Sequence, residues 1–122
     1  MSTTKSGSRP GMEDNLKKAV TEMLVLSLLE REDMHAIQLS RELEKQSGDA
    51  VSIVFPYSAL YRLISAGYIM EAYKKNAPDG RRRQYFQITP EGRAHVKELR
   101  EVYRRFTGGV DLLLKGGEAH GK

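Results

Sequence analysis

Five basic side chains crowd one short stretch, Lys74, Lys75, Arg81, Arg82 and Arg83, against a single acid, Asp79. The whole chain carries a formal charge of +4, so this stretch holds the entire excess and the remaining residues sum to about zero. A local excess of cations suits contact with phosphates; the other reading is a solvated turn that tolerates its own repulsion. Just upstream, Tyr57, Ser58, Tyr61, Arg62 and Ser65 share the polar face of a short helical pattern. Tyr57, Tyr61 and Ser65 stack along it at steps of four. Hydroxyls and a guanidinium on one helix face can reach phosphate oxygens or base edges. Nothing comparable points to catalysis. His35, His95 and His120 are scattered, with no HExxH, no phosphate-binding glycine loop and no nucleophile motif. There are no cysteines, which excludes disulfides, thiolate chemistry and cysteine zinc sites. No catalytic residue, metal site or cofactor is expected.

The elements that must hold these groups can be read from pattern. A first helix is expected from Asp14, a good N-cap, to about Glu30, with an apolar face wide enough (Leu16, Val20, Met23, Leu24 and Leu28, flanked by Val25, Leu26 and Leu29) to place it at the centre of the fold. Asp33 can cap a second helix over residues 34–47, closed by Gly48, with Ala36, Ile37, Ser40 and Leu43 inward. Val51, Ser52 and Ile53 form a β-prone link that could pair with a sheet edge. Pro56 suits a first helical position, so the third helix should run over residues 56–67 with Leu60, Leu63, Ile64 and Gly67 inward. Two strands follow, residues 68–75 and 81–89, around the turn Asn76-Ala77-Pro78-Asp79-Gly80. In the second, Tyr85 and Gln87 should face one way, Phe86 and Ile88 the other. Arg81 and Arg83 then share a face opposite Arg82, and one of these arginines is expected to pair with Glu71 or Glu91. Two helices joined by a short link, followed by a basic hairpin, read as a winged helix-turn-helix. The fold class is mainly α with a small β-hairpin.

Thr89 and Pro90 open a last helix. On it Val96, Leu99, Tyr103, Phe106, Val110 and Leu113 repeat at steps of three and four, a seam of nearly three heptads. One narrow stripe on a long terminal helix packs against another helix. With the small domain's core already assigned, pairing between subunits is preferred over packing back on the same domain. Leu16 and Val20 are expected to join that interface. Gly108 and Gly109 are expected to mark a kink or a close crossing, and Gly116-Gly117 to end the helix. The expected divisions are a disordered tail over 1–13, a winged domain over 14–89, a dimerisation helix over 90–115 and a loose tail over 116–122. At 122 residues this is one domain. No run of eighteen apolar residues is present and residues 1–11 lack a signal-peptide core, so a cytoplasmic protein with no membrane partner is expected.

With these residues in place, the chain resembles the PadR family of bacterial transcriptional regulators over nearly all of residues 16–113. Met34-His35-Ala36-Ile37-Gln38-Leu39 resembles the family's Met-His-Gly-Tyr-x-Leu/Ile. Tyr57-Ser58-Ala59-Leu60-Tyr61-Arg62-Leu63, with Gly67-Tyr68-Ile69, resembles its Tyr-Pro-x-Leu-x-Arg-Leu…Gly-Leu-Ile. Gly80-Arg81-Arg82-Arg83-Gln84-Tyr85-Phe86 and Ile88-Thr89-Pro90-Glu91-Gly92 resemble its wing and the start of its last helix. The single C-terminal helix looks like the short subfamily. Ala36 and Ile37 replace the usual Gly-Tyr, Ser58 the usual Pro, and Phe55-Pro56 a small polar residue and Leu. The helix entrance is therefore altered where base contacts are expected, and no operator sequence carries over. The resemblance implies a homodimeric repressor of double-stranded DNA, a two-fold site and, in some members, an inducer. In short multidrug-sensing members, flat aromatic compounds bind between subunits against a tryptophan of the last helix. Tyr103 matches that position and could stack on such an effector; as a seam residue it also needs no ligand.

The expected DNA-binding set is thus Tyr57, Ser58, Tyr61 and Arg62 toward the major groove, Ser40 and Arg41 on the backbone, and Lys74, Lys75, Arg81, Arg82 and Arg83 on phosphates. The alternative is a winged-helix module that binds protein or RNA without operator-specific DNA binding, since fold alone does not settle function.

Overall fold

The computed structural model describes residues 7–52 and 57–120. Elements follow in the order α1 (Arg9–Arg31), β1 (Met34–His35), α2 (Ala36–Gln46), α3 (Tyr57–Ser65), β2 (Ile69–Asn76), β3 (Arg82–Ile88) and α4 (Pro90–His120). Three helices and a small antiparallel sheet make a winged helix-turn-helix, and α4 extends beyond it.

α1 begins at Arg9, five residues before the expected start, so the expected tail over 1–13 is not a tail throughout. Ser8 caps it by accepting from the Gly11 N–H at 3.2 Å, and a proline sits in the first turn. Serine followed by proline is strong helix-start chemistry, and it acts before Asp14 is reached. Residues 1–6 lie outside the described set. Further along, Met23, Val25, Leu26, Leu28 and Leu29 are buried. α1 packs against α4, α2, β3 and α3, the central position expected of so wide an apolar face.

The third strand is not the link at Val51. Met34 and His35 pair antiparallel with Phe86 and Tyr85, giving the order β1-β3-β2. Val51 instead donates its N–H to Ser47 Oγ at 3.0 Å; Ile53, Phe55 and Pro56 lie outside the described residues. Because the sheet takes up Met34 and His35, α2 starts at Ala36 and its cap is His35, not Asp33. His35 Nδ1 accepts from the Gln38 N–H at 3.2 Å. Asp33 is released to accept from the Tyr73 hydroxyl at 2.8 Å and from Gln87 Nε2 at 3.3 Å. Leu39, not assigned inward by pattern, is fully buried between Ala36 and Leu43.

β2 and β3 pair with an irregularity between Glu71 and Tyr73. Such a bulge twists and bends a hairpin. Phe86 and Ile88 enter the core. Tyr85 is buried too, under a separate cover: it stacks on Tyr73 with centroids 5.3 Å apart, and Lys75 Nζ lies 4.7 Å from its ring centre.

Thr89 joins the sheet to α4. Its hydroxyl donates to the Gly67 carbonyl at 2.7 Å and accepts from the Gly92 N–H at 3.0 Å. α4 then runs unbroken through Gly108, Gly109 and Gly116 to His120, so Gly116-Gly117 does not end it. Glycine weakens a helix by about 1 kcal/mol relative to alanine without blocking its hydrogen bonds as proline does. Space is open around Gly108 and Gly109: among the described residues, nothing beyond the helix's own backbone lies within 4 Å of where a Cβ would stand.

Gly92 is different. A Cβ there would collide with the Tyr68 carbonyl oxygen and Ile88 Cγ1. The obstacle is backbone, which cannot rotate away. Gly92→Ala should therefore lower unfolding stability by about 2 kcal/mol or more, read as a lower urea midpoint. An unchanged midpoint would show that α4 shifts freely against the α3–β2 corner.

Candidate nucleic-acid interface

α3 exposes what its pattern promised. Ala59, Leu60 and Leu63 are buried, while Tyr57, Ser58, Tyr61 and Arg62 are exposed. Two large aromatic rings left in solvent on a nine-residue helix are unusual for packing alone. Arg62 Nε lies 3.5 Å from Glu22 Oε1 of α1. On α2, Arg41 is exposed and Ser40 half-buried.

The turn of the wing is built by its own hydrogen bonds. Ala77 N–H donates to the Arg81 carbonyl and Gly80 N–H to the Ala77 carbonyl, both at 2.8 Å. Gly80 has φ +84°, the left-handed backbone that glycine adopts without strain. Asp79 accepts from the Arg81 N–H at 3.0 Å and from Arg83 NH2 at 2.9 Å. These bonds, that to Arg83 first, hold the Asp79 carboxyl below its usual range. Arg83 therefore pairs with Asp79, and not with Glu71 or Glu91. Partly covered, with one terminal nitrogen held by Asp79, Arg83 braces the turn of the wing. Lys74, Lys75, Arg81 and Arg82 remain exposed.

Helices and wing meet across two clefts. One, of about 200 Å³, is lined by Tyr57, Ile37, Arg82 and Gln84 among others. It sets the start of α3 against the middle arginine of the wing. The second, of about 620 Å³, is lined by Arg41 and Gln38 of α2, and by Lys75 and Asn76 of the wing. The structure thus gathers Tyr57 with Arg82, and Arg41 with Lys75.

The seam on α4 divides. Val96 is completely buried in its own subunit, and Leu99 packs on the same core, so Val96 is a core residue and not an interface residue. Val20 also packs on that core. From Tyr103 onward the stripe is bare: Tyr103 is 44% exposed, Phe106 69% and Leu113 80%. Val110 and Leu16 are exposed as well, and Val102, Leu112 and Leu114 broaden the apolar surface. Tyr103 lines two clefts beside α1, of about 360 and 320 Å³.

Several contributing residues were not legible in the pattern. Glu22 holds Arg62, Asp33 tethers the two strands of the wing, and His35 caps α2 while meeting Tyr85 edge-on at 5.4 Å. Only Asp79, four residues before Arg83, had a local signal.

The model of the transcriptional regulator PadR-like family matches residues 25–98. The chain belongs to the PadR-like family. At that level it is a DNA-binding transcriptional regulator, in a family of regulators and not of enzymes. This PadR-like chain is similar to a PadR-like transcriptional regulator from Bacillus cereus, with 27% identity, a TM-score of 0.70, and coverage of 82% of this chain and 96% of that one. It is similar also to a PadR family transcriptional regulator from Eggerthella lenta (27% identity, TM-score 0.71, 86% and 90% covered). A transcriptional regulator from Clostridium thermocellum matches at 26% identity and a TM-score of 0.70, over 80% of this chain and 95% of that one. An uncharacterized protein from Lysinibacillus sphaericus is 25% identical over 96 residues, 78% of this chain and 88% of its own length. Among the described residues, no helix is long and apolar enough to cross a membrane, and no three or more His, Asp or Glu side chains gather in a group that could hold a metal ion.

In this PadR-like chain His35 links α2 to the wing through its neutral form. Burial lowers its pKa from the ordinary 6.5, the Arg83 and Arg41 charges lower it further, and Asp79 opposes them. A depressed folded pKa means that the unfolded chain binds the proton more readily. Stability is therefore full above about pH 6.5 and declines as pH falls toward the folded value. Wild-type unfolding midpoints should drop between about pH 7.5 and about pH 5.5. His35→Asn, which keeps a capping acceptor but does not titrate, should show a smaller drop. Equal drops would remove His35 as the cause.

Proposed function

We propose that this chain is a homodimeric, sequence-specific repressor that binds a pseudo-palindromic duplex and is released by a small aromatic effector. The observation that carries the reading is the shared cleft of Tyr57 and Arg82: the polar start of α3 and the basic wing offer one surface to one ligand. A duplex suits it, with α3 in the major groove and Lys74, Lys75, Arg81 and Arg82 on flanking phosphates. Ser40 and Arg41 add backbone contacts from α2. The match of residues 25–98 to this family's model, and the likeness of 82% and 86% of the chain to two solved regulators of it, support the same conclusion.

Dimerisation rests on the bare end of α4. Thirty-one residues make a helix about 46 Å long, and its distal apolar residues have no cover in the subunit. A second copy supplies that cover through the same residues, with Tyr103, Phe106, Val110 and Leu113 meeting across a two-fold axis and Leu16 at the margin. A two-fold dimer reads two half-sites about one helical turn apart. The clefts beside Tyr103 fall in the size range of small-molecule sites, and a tyrosine ring there can stack on a flat aromatic effector. An effector releases DNA when it favours a dimer geometry that misfits the half-site spacing.

Binding to the duplex upstream of the protein's own gene, compared with a scrambled duplex, tests the function. With on the order of 8 phosphate contacts per dimer, log affinity should fall against log salt with a slope near −7. Arg81→Ala with Arg82→Ala should weaken both duplexes alike, whereas Tyr57→Ala should also narrow the difference between them. Equal, weak binding to both duplexes by the wild type would point instead to a winged module for protein or RNA.

Phe106→Arg places a charge in the proposed subunit contact. It should shift the mass measured by sedimentation from dimer toward monomer and reduce operator affinity by at least tenfold, since each half-site is then bound alone. A dimer of unchanged mass would put the subunit contact elsewhere.

A further inference from the structure

We infer that the amino-terminal half of α1 carries a further phosphate-binding surface: a cleft formed by Lys17 and Lys18 with Ser58 and Arg62 of α3, which holds the DNA backbone beside the reading helix. The inference rests on the DNA-binding reading above and adds to it a contact from an element outside the helix-turn-helix and wing.

The cleft measures about 230 Å³, and Lys17, Lys18, Thr21, Ser52, Ser58 and Arg62 line it. Three of these side chains are cationic and none is acidic. Lys17 is half-buried and Lys18 exposed. Among the described residues neither lysine has a carboxylate within ion-pair distance, whereas Arg9, Arg62, Arg83 and Arg100 each have one. Of the three cations only Arg62 has a carboxylate partner, Glu22; the two lysines, which have none, repel each other and Arg62, and a bound phosphate relieves that repulsion.

The rest of the site is fixed in place. The Thr21 hydroxyl donates to the Lys17 carbonyl and is therefore spent within the helix. Glu22, four residues after Lys18, ties Arg62 to α1, so the guanidinium of the reading helix is anchored on the helix that bears the lysines. Ser58 contributes a hydroxyl from the first turn of α3.

Continuity decides the ligand. α3 lines one cleft with the wing through Tyr57 and this one with α1 through Ser58 and Arg62. Basic side chains therefore stand on both sides of the reading helix, from the wing and from α1. A duplex backbone runs past a groove-bound helix on both sides. Phosphate contacts of this kind position the protein without reading sequence, so the lysines should affect all duplexes alike.

The test uses the full chain and a mixed-sequence duplex of about three helical turns, with affinity measured across a salt series. Lys17→Ala with Lys18→Ala should weaken binding on the order of tenfold and make the log-log slope shallower by about 2 to 4, as expected for two to four lost contacts per dimer. Lys17→Arg with Lys18→Arg should keep both affinity and slope, which separates charge from any change in α1. Lys17→Gln with Lys18→Gln, closer in shape to lysine, repeats the loss of charge should the alanine pair unfold. Unchanged affinity and slope in the neutral variants, alongside a clear loss in Arg81→Ala with Arg82→Ala, would overturn the inference while leaving DNA binding intact. A wild-type chain with no affinity for the duplex would overturn both.

Discussion

Met34 and His35 lie antiparallel against Phe86 and Tyr85, and the mutual placement of α2, α3 and the hairpin depends on that short pairing. Without it the sheet would be a two-stranded hairpin held only by its packing on α1 and α3, less stable than three strands. With it the strand that carries Arg82 and Arg83 is the middle of a three-stranded sheet, and the start of α2 is fixed to the residue. His35 bridges the two parts: its backbone pairs in the sheet, its ring nitrogen caps α2, and its ring meets Tyr85 edge-on. Met34 is buried beside it in the common core. One residue thus joins the sheet to α2.

Acidic residues decide how the basic ones are used. Asp79 folds Arg83 back onto the turn, Glu22 holds Arg62 against α1, and Glu30 binds Arg100 at the α1–α4 contact. The Arg62–Glu22 pair is the most exposed of them, and an exposed pair contributes roughly 0–1 kcal/mol to stability; the other two are largely covered. The larger effect of all three is geometric, because a long cationic side chain without a partner samples many rotamers. Arg100 is held at two points: Glu30 accepts from both of its terminal nitrogens, and this bonding raises the Arg100 pKa. It fixes the direction in which α4 leaves the domain. Lys74, Lys75, Arg81 and Arg82 have no recorded carboxylate partner among the described residues. Lys75 is steadied instead by the faces of Tyr73 and Tyr85.

α4 joins two regimes in one helix. Its first turns belong to the winged domain, through Val96 in the core and Gly92 pressed on Tyr68. Tyr68 and His95 stack at 3.9 Å where the two parts meet. Beyond Tyr103 the helix carries apolar residues that nothing in the subunit covers. One helix thereby connects the core that positions α3 to the surface proposed for subunit contact.

Much of this was legible in the sequence because it depends on local chemistry. The three- and four-residue spacing of Leu60, Leu63 and Ile64 determined which side of α3 stays in water. Pro78-Asp79-Gly80 determined the turn, and Thr89-Pro90 the start of α4. Three departures share one cause. Asp33 was a sound cap by residue type, but Met34 and His35 were drawn into the sheet by Tyr85 and Phe86, some fifty residues away. Val96 fits a heptad seam as well as Phe106 does; only the packing of α1 decides that the first is interior and the second bare. Three adjacent arginines look equivalent in the chain, until the folded turn brings Asp79 to Arg83 alone. Backbone preference and periodicity act within a few residues and survive in any reading of the chain. Pairing between strands, burial by a distant helix and choice of ion-pair partner are set by neighbours that only the tertiary structure brings together.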